Sequence, residues 1–242
     1  MVSPDKPLRI GALVFPAFTA LDLFGPLQAL NLLSLQHPME LTIISDTMEP
    51  VSIDRTILNG VVYGMGANSS SPFFAEYIVP TTTLEEAPHD FDVLFVPGGA
   101  GTRNLEATQP HVDWLRTRLT EEEPDYLWTV CTGASIAART GQLAGRNATT
   151  NKAAFNWVKS VDGAEDVNWI AKARWVVDGN YWTSSGVSAG TDMMLGWIEH
   201  AYGRNESERM RIGMEWNALN QTDDPFAVEH GLVDPDVQAL SI

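Results

Sequence analysis

The apolar run Tyr126-Leu127-Trp128-Thr129-Val130 reaches a single residue, Cys131, and then passes into Thr132-Gly133-Ala134-Ser135-Ile136-Ala137-Ala138, which reads as the opening of a helix. A strand that becomes a helix across one residue needs a sharp turn, and that turn lifts one side chain above the end of a sheet. It also sets the sulfur beside free N–H groups at the positive end of the helix dipole, which favours a thiolate. Cys131 is the only cysteine in the chain. It has two readings: a reactive thiol at the turn, or a small apolar residue of the core.

The rest of the chain supplies the sheet. Arg9–Phe15, Glu40–Ser45 and Asp92–Val96 read as buried strands. Ala20–Leu33 and Pro110–Leu119 read as helices, with Pro26 tolerable only in a first turn. Ala173–Val177 and Tyr181–Ser184 flank Asp178-Gly179, a hairpin signal. Helices over Ser188–Tyr202 and Glu206–Leu219 follow, and the residues from Asp223 read as a surface tail. Strands alternating with helices predict an α/β fold with a mostly parallel sheet covered on both faces. Ligands of such sheets bind beyond the carboxyl ends of the strands, where both Gly98-Gly99 and Cys131 fall. Residues 47–90 form a long excursion rich in Ser, Thr, Gly and Pro, of a length that usually has a role as a cover or an interface.

Composition narrows the function. The 242 residues show no repeat and no linker, so one domain over 1–242 is expected. A net charge of −16, from 31 acidic and 15 basic residues, opposes binding to nucleic acid or anionic membranes. The first residues carry no apolar signal core, no run reaches membrane-spanning length, and one cysteine forms no internal disulfide. A cytoplasmic protein is the expectation. The glycosylation sequons at Asn68, Asn147, Asn205 and Asn220 then read as chance matches. No Cys/His spacing suits a metal, Gly98-Gly99-Ala100-Gly101 lacks the Lys-Ser/Thr of a phosphate loop, and no cofactor is implied.

Five motifs occur in order: Asp22-Leu23-Phe24-Gly25-Pro26, Val96-Pro97-Gly98-Gly99, Val130-Cys131-Thr132-Gly133-Ala134, Ala148-Thr149-Thr150, and Trp182 to Asp192. From about Arg9 to Phe226 the chain resembles the ThiJ/PfpI superfamily, within the class I glutamine amidotransferase-like group. Asp22 and the Cys131-Thr132 pair resemble its isonitrile hydratase-like branch. Thr150-Asn151-Lys152 and the excursion look like a fungal subgroup. The resemblance implies a flavodoxin-like sandwich, a homodimer, and a small-molecule substrate.

It also implies roles. Asp22 would face the thiol, and an acid and a thiol in a dry pocket share a proton and titrate as a pair. On residues alone, Asp22 also reads as a helix cap. The N–H groups of Gly99 and Thr132 would form an oxyanion hole, with Gly98 allowing close approach, or the glycines simply make a tight turn. The Thr132 hydroxyl would hold water or substrate, or open the helix. Where many members carry a histidine, this chain has Asn151. The five histidines, His37, His89, His111, His200 and His230, read as surface residues, so a Cys–His hydrolase is disfavoured. Asp192 reads as structural, with a second pocket acid as the alternative. The eight tryptophans read as core or interface, with one or two lining a pocket.

The expectation is therefore a cysteine-dependent hydratase acting on a small electrophile, best matched by conversion of an isonitrile to an N-substituted formamide. Glyoxalase III-like hydration of methylglyoxal and a non-enzymatic redox sensor or small-molecule binding protein are the alternatives.

Overall fold

The loops that follow three neighbouring strands meet at one end of the sheet, and the register of those strands explains why. The computed structural model describes residues 6–54, 61–62, 65–66 and 74–235, with backbone alone at 61–62 and 65–66. The strands of the main sheet are β1 (Leu8–Leu13), β2 (Met39–Ser45), β3 (Thr82–Thr83), β4 (Val93–Val96), β5 (Tyr126–Val130), β6 (Trp175–Asp178) and β7 (Tyr181–Ser184). Their order is β6-β7-β5-β4-β1-β2-β3, and every pairing is parallel except the hairpin at the β6 edge. The hairpin turns at Gly179, whose φ of 62° suits glycine. In β4 all four residues, Val-Leu-Phe-Val, are buried, as expected of a strand covered on both faces.

The helices are α1 (Ala20–Leu33), α2 (Gln109–Glu121), α3 (Gly133–Arg139), α4 (Phe155–Val158), α5 (Ala189–Tyr202), α6 (Arg204–Gly213) and α7 (Phe226–Glu229). The β1–α1–β2 crossover runs one way along the sheet and β4–α2–β5 runs the other. With right-handed crossovers this puts α1 and α2 on opposite faces. Accordingly α1 packs with α5 and α6, and α2 packs with α3. The order in which strands are added reverses between the parallel neighbours β1 and β4, the place where an open α/β sheet leaves a crevice at its carboxyl edge. The mostly parallel sandwich expected from the sequence is the fold observed. No helix among the described residues is long and apolar enough to cross a membrane.

Several local expectations change. Pro26 sits in the second turn of α1 rather than the first, where its ring packs under Gly190 of α5. His111 is fully buried on α2, and its Nε2 donates to the Val14 carbonyl at 3.2 Å. The last long helix stops at Gly213 instead of Leu219. Glu215 takes a left-handed φ of 51°, and Trp216 turns inward to donate its indole N–H to Asp192 at 2.7 Å. The segment from Asp223 is no surface tail in its described part, because Asp224 is buried and α7 follows it. Asn68 and much of the 47–90 excursion, as well as residues 236–242, lie outside the described residues. The described flanks of the excursion pair with each other, Val51–Ser52 against Tyr77–Ile78.

Register carries Gly98 and Cys131 to the same place. Val96 lies beside Thr129 across β4 and β5, so the residues after each strand run on side by side. The loop after β1 closes the group: Phe18 bridges Gly99, and the Thr19 N–H donates to the Gly98 carbonyl at 2.8 Å. Gly99 has φ 144° and ψ 171°, a conformation essentially restricted to glycine, and a β-carbon there would strike the backbone of Ala17 and Phe18. Gly99→Ala is expected to cost about 2–4 kcal/mol. A fall in Tm of about 5–15 °C in calorimetry checks it.

Candidate functional site

Cys131 occupies a left-handed backbone conformation, φ 58°, which few non-glycine residues adopt without a constraint around them. The constraint is visible. The Cys131 N–H donates to the Ser184 carbonyl at 3.2 Å, the Thr150 hydroxyl donates to the Cys131 carbonyl at 2.8 Å, and the next residue already belongs to the α3 turn. The strained turn predicted between strand and helix is present, with the thiol at its apex.

Asp22 faces that thiol. It lies in the first turn of α1, and the cap position belongs to Thr19, so the helix-cap reading of Asp22 does not hold. Asp22 is 0% exposed. Its Oδ2 accepts the Gly98 N–H at 3.1 Å, its Oδ1 is buried without a partner of ordinary hydrogen-bond geometry, and the Cys131 thiol interacts with the same carboxyl group. Burial in this dry corner pushes the carboxyl up to about 7, opposed by the thiol and the Gly98 N–H.

The sulfur answers in kind. Burial first, then the Asp22 charge, push the thiol well above its ordinary range, while the Thr132 N–H and the Asn151 side chain favour the anion. The helix terminus therefore does not win, and the resting sulfur is a thiol rather than the thiolate expected from the dipole. Near neutrality the thiol keeps its proton while the carboxyl beside it is poised between its two forms.

Gly98 makes this proximity possible. A β-carbon there would lie 2.5 Å from the Thr132 nitrogen, 2.8 Å from its Oγ1 and 2.9 Å from Asp22 Oδ2. The Gly99 N–H donates to the Thr132 hydroxyl at 2.9 Å, and the hydroxyl donates back to the Gly99 carbonyl at 3.0 Å. At rest that hydroxyl ties the glycine loop to the elbow. It makes no cap bond to α3. All five residues singled out by sequence, Asp22, Gly98, Gly99, Cys131 and Thr132, converge on one corner.

Around them stand residues that the sequence did not announce as a group. Asn151 places its amide against the sulfur while its Oδ1 accepts the Ala154 N–H at 3.0 Å. It also lines a cleft of about 330 Å³ that runs past Leu21, Ala153, the 185–189 loop, Phe226 and His230. Cys131 itself is 0% exposed, so the thiol lies one side chain behind that cleft. No tryptophan is among the residues lining it.

Two buried cations flank the cleft. Lys152 pairs with Asp224 at 3.2 Å and donates to the Thr149 hydroxyl at 2.7 Å and the Ala173 carbonyl at 2.9 Å. Burial lowers its pKa to about 8 against the pull of Asp224. Arg174 pairs with Asp192 at 2.6 Å, and Asp192 also accepts from Trp216. Asp192 thus has a structural role. Among the described residues, no group of three or more His, Cys, Asp or Glu side chains could hold a metal ion.

An open, mostly parallel sheet with a cysteine on a left-handed turn at its carboxyl edge defines a flavodoxin-like α/β protein built around a thiol. The chain belongs to the DJ-1/PfpI family, whose sequence profile matches residues 9–200. It is similar to isonitrile hydratase from Pseudomonas putida, 29% identical over 209 residues, covering 86% of this chain and 78% of that protein. It is 33% identical over 107 residues to deglycase PfpI from Pyrococcus furiosus, covering 44% of this chain and 60% of that one. Among solved structures, a ThiJ/PfpI family protein from Pseudomonas syringae superposes with a TM-score of 0.67 at 25% identity, over 91% of this chain and 79% of the other. DJ-1beta of Drosophila melanogaster shares the fold, with a TM-score of 0.66 at 17% identity over 87% and 99%.

The raised carboxyl has a consequence for stability. Asp22 binds its proton more tightly in the folded chain than in the unfolded one, so folding loses free energy as pH rises from about 4 to about 7. A shift of this size corresponds to roughly 4 kcal/mol. Asp22→Asn removes the ionisation. Its stability relative to wild type is expected to improve as pH climbs through that window, measured by urea denaturation at pH 5 and pH 8. A difference that does not move with pH would show that Asp22 is not held near 7.

Proposed function

We propose that the protein is a cysteine-dependent hydratase that converts a small isonitrile to an N-substituted formamide. The observation that carries this reading is the buried Asp22–Cys131 pair, in which a carboxyl held at about 7 meets a neutral thiol. The similarity to isonitrile hydratase over most of the chain supports it.

The chemistry needs one acid–base group and one nucleophile. The Asp22 carboxylate takes the thiol proton as sulfur bonds to the terminal isonitrile carbon. Asp22 then returns that proton to the same carbon, giving a thioimidate, R–N=CH–S–Cys131. A water adds to the imidate carbon, its proton passing to Asp22 and from there to nitrogen. The carbon–sulfur bond breaks, the hydroxyl proton goes to the leaving sulfur, and R–NH–CHO departs with the thiol restored. The Gly99 and Thr132 N–H groups, engaged at rest by the Thr132 hydroxyl and the sulfur, are the donors for charge that forms in this corner. No histidine is required, which suits a site with Asn151 beside the sulfur.

The same thiol attacking an aldehyde is the second reading, glyoxalase III-like hydration. Its support is the partial similarity to proteins named deglycases. A redox-sensor role draws less support, since peroxide reacts with exposed thiolates and this sulfur is a buried thiol.

Cyclohexyl isonitrile is expected to give N-cyclohexylformamide with the wild-type protein. Cys131→Ala should abolish turnover, and Asp22→Asn should lower kcat by about 10²–10⁴-fold. The wild-type rate should rise as pH passes through about 7, because Asp22 must be free to accept the thiol proton, and Asp22→Asn should lose that limb. Product is followed by chromatography across pH 5–9. Full activity in Cys131→Ala would overturn the mechanism, and lactate from methylglyoxal without formamide would favour the second reading.

A further inference from the structure

The family match ends at residue 200, yet the chain beyond it returns to the site. Three contacts bring it back. Trp216 donates to Asp192 at 2.7 Å, the Arg174 backbone N–H donates to the Gln221 carbonyl at 2.7 Å, and Asp224 closes on Lys152 at 3.2 Å with both side chains buried. The next turn, α7, then carries Phe226 and His230 into the lining of the cleft that Asn151 shares with the thiol corner.

The lining has a definite chemistry. Leu21, Ala153, Val187 and Phe226 give it a largely apolar surface. Its two cations, Lys152 and Arg174, are each neutralised by a buried carboxylate, Asp224 and Asp192, and so are committed to the fold rather than to an anionic ligand. Phe226 is 48% exposed, leaving a large aromatic face uncovered at the cleft. A pocket of about 330 Å³ falls at the small end of the range for small-molecule sites.

We propose that the C-terminal segment 221–230 is the specificity wall of this cleft. Phe226, with Leu21 and Val187, binds the apolar substituent of an uncharged substrate, and the Lys152–Asp224 pair positions that wall. The inference rests on the hydratase reading only for the reaction it serves, since the wall is also read by binding alone.

The full chain, Phe226→Ala, Phe226→Leu and Asp224→Asn are assayed with cyclohexyl and methyl isonitrile and titrated by calorimetry with N-cyclohexylformamide and N-methylformamide. Phe226→Ala is expected to raise KM for the cyclohexyl substrate and weaken N-cyclohexylformamide about tenfold, with kcat and the methyl compounds within about twofold. Phe226→Leu should recover part of the loss. Asp224→Asn, by leaving Lys152 unpaired, should speed amide exchange across 221–230 and weaken the cyclohexyl compounds in parallel. Should neither isonitrile turn over while N-cyclohexylformamide binds wild type and is lost in Phe226→Ala, the hydratase reading fails and the wall stands. Unchanged discrimination between cyclohexyl and methyl compounds in Phe226→Ala overturns the wall, as does a wild-type protein that binds neither formamide.

Discussion

A carboxyl and a thiol are held together out of contact with bulk solvent, and the backbone around them is arranged to permit that contact. Gly98 has no side chain because Thr132 and Asp22 already fill the space one would need. Gly99 turns through a conformation reserved for glycine so that Phe18 can bridge it, and that bridge fixes the approach to α1, on which Asp22 rides. Cys131 accepts a left-handed φ so that its sulfur clears the end of β5. The special backbone conformations at Gly99 and Cys131 cost stability locally and are tolerated because the layers beneath are closely packed, with Trp128 of β5 against Trp197 of α5 at 4.5 Å between ring centroids.

The electrostatics follow from the packing. A carboxyl group with one N–H donor and one unpartnered oxygen keeps its proton more readily than one in water, and the thiol beside it resists ionising because it too is buried and faces that carboxyl's charge. The helix dipole at α3 is real but local, and it is outweighed by desolvation and a neighbouring negative charge. What results is a poised proton rather than a standing thiolate. A proton that can move between two atoms suits addition to a carbon that must first be attacked and then protonated.

Much of this could be read from the chain because strand ends in a parallel sheet are legible. Val93–Val96 stopping at Pro-Gly-Gly, and Tyr126–Val130 stopping at Cys131, placed both loops at the carboxyl edge, and the sheet order observed puts them side by side. In sequence Asp22 is ambiguous because a carboxylate near a helix start serves equally well as a cap, and the fold decides by placing Thr19 at the cap and the Gly98 N–H on the carboxylate. Asn151 was visible as a histidine's absence, but its contact with sulfur depends on how the loop after Thr150 folds. The Lys152–Asp224 and Arg174–Asp192 pairs were hidden, since sequence spacing carries no signal for buried charges that meet across long loops. The same holds for His111, which is buried on α2 with its ring hydrogen-bonded to the Val14 carbonyl.

The two halves of the pocket come from different parts of the chain. The acid and the thiol sit on elements within the family core, whereas Phe226 and His230 arrive on a segment outside it, tethered through Lys152 next door to Asn151. With that outer segment as the proposed wall, its substitutions would reshape what enters and leave the acid–thiol pair in place, so selectivity and reactivity would be free to drift apart.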